Sequence, residues 1–236
     1  VRTKRREKTD ENGNTVESVS TYDWFRNRVM FPIIDVRGNV IGFGGRVMDG
    51  SEPKYLNSPE SMIFNKRKNL FALNAAKKTK MEMLVLTEGY MDTISLYQAG
   101  FENVVASMGT SLTKDQARLV KRYSENVLIS YDGDFAGQKA DLRGLEILKD
   151  ENLNVRVVPL PDGLDPDDVA KQGAAAYQAC LDAAMPLIDY KLHALEGKYD
   201  LKKSEDKRNF LAEALKVVRT AESESEKEDL LKKLRD

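Results

Sequence analysis

Four short apolar runs, each followed by a helix-like stretch, set the rhythm of the middle of this chain. They are Met83-Leu84-Val85-Leu86, Val104–Ser107, Val127-Leu128-Ile129-Ser130-Tyr131 and Val155–Leu160. Apolar runs of this length read as strands buried on both faces, the habit of a parallel sheet. The stretches between them predict helices over 92–99, 113–123 and 136–150, with another starting at Pro166. Such alternation predicts an α/β fold with right-handed crossovers.

The flanks read differently. Val29–Val36 and Val40–Val47 are strand-like, and Gly38-Asn39 between them marks a hairpin. Gly42, Gly44 and Gly45 have the wrong spacing for a dinucleotide fingerprint and instead predict a kink or a close approach. A loop over 50–65 with Pro53 and Pro59 leads to a short helix over 70–80. Residues 1–20 are polar and aperiodic, and an irregular segment is expected there. Beyond Gly173 the pattern is helical throughout, over 174–184, 186–197, 204–220 and 223–235. The chain therefore divides into a basic α+β part (1–80), an α/β part (81–172) and a helical bundle (173–236). Counted together, the class is α/β with a mixed α+β character.

Composition narrows the function classes. A chain of 236 residues with 41% hydrophobic and 32% charged residues can bury a real core. No apolar run approaches the ~20 residues of a membrane span. The basic start is followed by polar residues, unlike a secretory leader, so a cytoplasmic protein is expected. One cysteine, Cys180, rules out an intramolecular disulfide or a cysteine-based zinc site. The first 80 residues hold 16 Lys and Arg against 9 Asp and Glu, and the excess is acidic thereafter. That division suits a polyanion held on one part and metal ions on another.

Acidic residues cluster where the apolar runs end: Glu88 and Asp92, Asp132 and Asp134, Asp165 and Asp167. Three of them, Asp92, Asp134 and Asp165, also precede predicted helices, where Asp is a good N-cap. A helix needs one cap, however. Glu88, Asp132 and one of the Asp165/Asp167 pair are left over. Each like-charge pair at ~4 Å costs about 4 kcal/mol at an effective dielectric near 20. A divalent cation among them is the economical remedy, and oxygen ligands without His or Cys favour magnesium or manganese over zinc. A receiver domain also gathers aspartates at strand ends, but it needs neither Glu88 nor the basic first third.

Glu88-Gly89 after one strand and Asp132-Gly133-Asp134 after a later one resemble the Toprim fold. The flanks resemble the catalytic core of bacterial DnaG-type primases. They are Arg26–Ile33, Ile41–Arg46, Pro53–Glu60 and Phe64-Asn65-Lys66. Glu88–Asp92, Ala106–Thr110, Tyr131–Gly137 and Leu160–Asp167 follow in the same order. The resemblance implies a Toprim-type parallel sheet flanked by helices. It also implies that Glu88, Asp132 and Asp134 are the catalytic metal ligands, with Asp92, Asp165 and Asp167 completing the site. Two or more Mg2+ or Mn2+ ions are implied, with no zinc. Arg26, Arg46, Lys54, Tyr55, Asn57 and Lys66 would bind nucleotide or nucleic acid.

The activity so implied is synthesis of short RNA primers from ribonucleoside triphosphates on a single-stranded DNA template. A Toprim nuclease or topoisomerase, or a non-catalytic DNA-binding Toprim module, shares part of the pattern. The family's zinc ribbon is not expected in this chain, because no Cys or His pair precedes Cys180. Contact with the replicative helicase is expected to run through a domain absent here. The start of the basic part is expected to be truncated.

Overall fold

The computed structural model describes residues 2–9, 15–79, 82–109, 111–132, 139–221 and 223–235. Two compact units emerge, one running to Ile33 and resuming over Val40–Phe64, the other comprising Ile34–Asn39 and Asn65 onward.

In the first unit, β1 (Arg2–Thr9) and β2 (Thr15–Tyr22) pair antiparallel from Arg2↔Tyr22 to Thr9↔Thr15. The expected irregular segment is therefore a strand pair. Backbone hydrogen bonds hold it, and hydrophobic periodicity could not announce it because the two strands carry almost no apolar residues. A second sheet orders β3 (Arg28–Ile34), β4 (Val40–Val47) and β5 (Tyr55–Asn57). The turn between β3 and β4 is closed by Asp35, whose carboxylate accepts from the backbone N–H of Arg37 and of Asn39, both at 2.9 Å. The β4 glycines serve close approach. A Cβ on Gly45 would stand 2.9 Å from the Phe25 ring, and one on Gly42 would stand 3.2 Å from the Phe64 ring.

The second unit opens with α1 (Leu73–Ala76), shorter than the helix expected over 70–80. Ala72 just before it is left-handed, at φ 62°, which breaks helical continuity. There follow β6 (Met83–Thr87), α2 (Tyr90–Gln98), β7 (Val104–Ala106), α3 (Lys114–Lys121), β8 (Asn126–Ile129), α4 (Lys139–Asp150) and β9 (Asn154–Val157). Then come α5 (Pro166–Lys171), α6 (Ala174–Asp182), β10 (Met185–Pro186), α7 (Leu187–Lys198), α8 (Ser204–Val218) and α9 (Glu224–Arg235). The sheet order is β10-β9-β8-β6-β7. Strands β6 to β9 are parallel neighbours, and β10 pairs antiparallel with β9 through Met185↔Val157 and Pro186↔Arg156. A two-residue strand at the junction of the helices expected over 174–184 and 186–197 went unannounced, since nothing in so short a segment carries a period. At the opposite edge, Phe71 makes a lone antiparallel bridge with Ala106, each N–H donating to the other's carbonyl.

Alternate strand residues face opposite cores. Leu84, Leu86, Val127 and Ile129 join one cluster with Leu148 and Leu187, whereas Val85 and Leu128 join another with Leu96, Val169 and Tyr177. Helices thus cover both faces, and the mixed α/β class with a flanked parallel sheet stands. A third cluster, of Ile188, Leu192, Phe210, Ala214, Val218 and Leu230, holds α7, α8 and α9 together.

Candidate active site

The chain passes from β6 out to β7 and then crosses back to place β8 on the other side of β6. Such a reversal opens a crevice beyond the carboxyl ends of the two central strands, the usual ligand site of an open α/β sheet. Leu86 pairs with Ile129 there, and the Ser130 N–H donates to the Leu86 carbonyl at 2.9 Å. Glu88 and Asp132 therefore leave the sheet side by side, and both are exposed.

Two buried threonines fix the turn that carries Glu88. The Thr87 and Thr93 hydroxyls lie 2.9 Å apart, and the Thr93 hydroxyl donates to the Gly89 carbonyl at 3.2 Å. Sequence reading missed this pair. A threonine after an apolar run gives no signal of the partner six residues on.

Asp92 sits in the first turn of α2 and not at its cap. Gly89 is the N-cap, and its N–H donates to the Asp92 carboxylate at 3.0 Å. The expectation that Asp92 precedes its helix is corrected accordingly: Gly89 takes the extended backbone and Tyr90 already begins the helix. Asp92 is only 8% exposed. Burial, foremost, and then the charges of Asp165, Asp132 and Asp167 push its pKa up to about 7, against the opposing Gly89 hydrogen bond. Its field thus reports four carboxylates gathered in one place.

Asp165 caps α5, its carboxylate accepting from the Asp168 N–H at 2.7 Å, with Pro166 in the first turn. Asp167 accepts from the Ser95 hydroxyl of α2 through one oxygen and from the Lys171 ammonium, at 2.7 Å, through the other. That bond raises the Lys171 pKa. Carboxylate oxygens of Asp165, Asp167 and Asp168 all lie within 4.8 Å of one another, close enough to share an ion. Asp168 was not foreseen, although it directly follows Asp167. Asp134, with Thr110 and the Ala136-Gly137 part of its motif, lies outside the described residues. The donors are all carboxylate oxygens, and burial together with their mutual repulsion drives Asp92 toward its neutral form. Both facts fit a hard divalent cation.

The basic candidates fall into two groups. In the first unit, Arg46 pairs with Tyr55 in register, and Gly44 pairs with Asn57. The Arg46 guanidinium and the Lys54 ammonium each lie 5.9 Å from the Tyr55 ring centre. The Trp24 indole N–H donates to the Asn57 carbonyl at 3.1 Å, and Arg26 stacks 5.1 Å from the Tyr22 ring. Lys66 belongs to the second unit. Its carbonyl accepts from the fully buried Gln116 side chain, which also holds the Asn69 carbonyl and closes the capping box of α3 with Thr113.

Comparison with known proteins finds three family descriptions along the chain. Residues 3–77 match the family description "DNA primase catalytic core, N-terminal domain", residues 85–170 match "Toprim-like", and residues 188–236 match "DnaB-helicase binding domain of primase". The last match finds a helicase-binding description over residues 188–236, where the sequence reading expected that domain to be absent; the helices α7 to α9 carry no motif that could have signalled it. The DNA primase of Clostridium acetobutylicum is 47% identical over 219 residues, covering 92% of this chain and 37% of that protein. That of Salmonella typhimurium is 45% identical over 208 residues, covering 86% and 36%. The chain thus spans little more than a third of these curated relatives. Among solved structures, the Escherichia coli primase catalytic core is 40% identical at a TM-score of 0.69, over 97% of this chain and 73% of that one. A DnaG primase catalytic domain bound to ssDNA is 39% identical at a TM-score of 0.69, over 97% and 74%. With nearly all of its length aligned to three quarters of that catalytic domain, the chain belongs to the bacterial DnaG-type DNA primases.

Proposed function

We propose that this chain is a primase core that joins ribonucleoside triphosphates into RNA primers on single-stranded DNA. One observation carries the reading: the carboxylates of Asp92, Asp132, Asp165 and Asp167 gather at the strand-order reversal, where burial first and then the other three charges push Asp92 up to about 7. Glu88, Asp132 and Asp134 are assigned as catalytic metal ligands, and Asp92, Asp165 and Asp167 complete the acidic site. Bound divalent cations, magnesium or manganese and two or more in number, supply Lewis-acid polarisation of the phosphate and of the attacking hydroxyl. The 3′-hydroxyl oxygen of one nucleotide bonds to the α-phosphorus of the next as the bond to the β-phosphate oxygen breaks. Pyrophosphate leaves, and Glu88 is assigned to accept the hydroxyl proton.

Arg26, Arg46, Lys54 and Lys66 are assigned to phosphates of template, primer or triphosphate, because Lys and Arg supply most such contacts. Tyr55 and Asn57 are assigned to sugar or base. Residues 1–80, 81–172 and 173–236 are the proposed functional parts, with the replicative helicase as the partner of residues 188–236. Acting on replicating DNA places the protein in the cytoplasm.

The test is ribonucleotide incorporation on single-stranded DNA with Mg2+ or Mn2+, comparing the wild-type chain with Asp132→Ala. Short RNA products that vanish in the variant are expected. Metal-dependent nicking of the DNA without RNA would overturn the reading in favour of a nuclease.

A further inference from the structure

Lysines one turn away from an acid are common on this chain, and most lie on solvated helix faces. The acidic partners of Lys203, Lys227 and Lys232 are 48%, 85% and 68% exposed. Lys171 differs in what it binds. Its partner Asp167 is 15% exposed, belongs to the acidic edge of the sheet and is already oriented by the Ser95 hydroxyl. The two oxygens of Asp167 are thus held by unlike donors. One accepts from a neutral hydroxyl on α2, which fixes direction without cancelling charge. The other accepts from an ammonium on an exposed, flexible stem, which cancels charge and can swing away. The same ammonium lies 3.9 Å from the Asp168 carboxylate. It therefore sits against two of the three acids whose oxygens are close enough to share an ion.

We infer that Lys171 is a tethered cation that competes with a divalent ion for Asp167 and so sets the metal concentration needed to fill the α5 end of the site. This rests on the metal-site reading given above. An ammonium at 2.7 Å engages the Asp167 oxygen that an ion would use and lowers the net negative charge drawing it in. Metal entry at that oxygen then competes with Lys171. Substituting Lys171, which is exposed and outside the cores, leaves the fold intact while removing the competitor.

The test is Mn2+ binding at pH 8, followed by loss of the free-ion EPR signal. Wild type, Lys171→Gln, Lys171→Arg, Asp167→Asn and Asp132→Asn are compared. The phase of the isotherm lost in Asp167→Asn reports the α5 end. In Lys171→Gln that phase is expected to shift to about three- to tenfold lower Mn2+ concentration. Lys171→Arg, which keeps the charge, is expected to stay within about twofold of wild type. An unchanged or weakened phase in Lys171→Gln overturns the role of Lys171. So does an isotherm that Asp167→Asn leaves intact. In either case, weakened binding in Asp132→Asn keeps the metal-site reading standing. A wild-type chain that takes up no Mn2+ overturns both.

Discussion

Among single residues, burial and charge conflict most at Asp92. Its carboxyl is folded into a site where ionisation is opposed by desolvation and by three other acids, so its folded pKa of about 7 stands above the unfolded value near 4. The group binds more protons folded than unfolded over that interval. Its contribution to stability is therefore fully present below about pH 4 and is lost as pH rises through 7. Asp92→Asn keeps an oxygen for the Gly89 N–H but has no proton to lose. Without metal, the variant is expected to melt higher than wild type at pH 8, by on the order of 2–4 kcal/mol, and to lose that advantage toward pH 5. Thermal denaturation at the two pH values, in chelator, checks this. Equal melting temperatures at pH 8 would mean that Asp92 is less buried, and less crowded by the other acids, in solution. The acids themselves were legible in the sequence because each ends an apolar strand. The burial of Asp92 was not, since it depends on α5 packing beside α2.

Between elements, α3 and the loop before α1 are joined by the Thr113 hydroxyl, which donates to the Arg67 carbonyl, and above all by Gln116. Gln116 is fully buried and donates to two loop carbonyls, at 3.0 Å to Lys66 and 2.9 Å to Asn69. Gln116→Ala strands both carbonyls and the capping N–H of Thr113. A loss of about 3 kcal/mol is expected in urea unfolding. Loss of nucleotide binding beyond the loss of folded protein would place Lys66 in the site as well. Strands β6 to β9 were readable within a residue or three at their ends, because burial on both faces leaves unbroken apolar runs. The β1–β2 pair was unreadable for the opposite reason, as its few apolar residues, Val16, Val19 and Tyr22, do not alternate. α1 was overread, since Leu70 and Leu73 are core residues at helical spacing although Ala72 breaks the helix between them.

For the whole molecule, the excess of basic residues before position 80 predicts binding governed by counterion release. Affinity for single-stranded DNA is expected to fall steeply with added KCl, by a log–log slope of roughly 0.7 per phosphate contacted. Replacing Arg46 and Lys54 together by Ala is expected to flatten that slope by roughly 1.4, read by fluorescence anisotropy across salt concentrations. A parallel shift with no change in slope would assign these side chains to structure. The fold also settles a matter apart from catalysis. A parallel sheet normally ends in strands whose outward N–H and C=O groups can recruit another chain. Here one margin stops at Met185–Pro186, where proline offers no donor, and the other stops at the single Phe71 bridge. Both margins of the five-stranded sheet are thus closed by segments too short to extend it, and strand-to-strand growth from that sheet is disfavoured by its own topology.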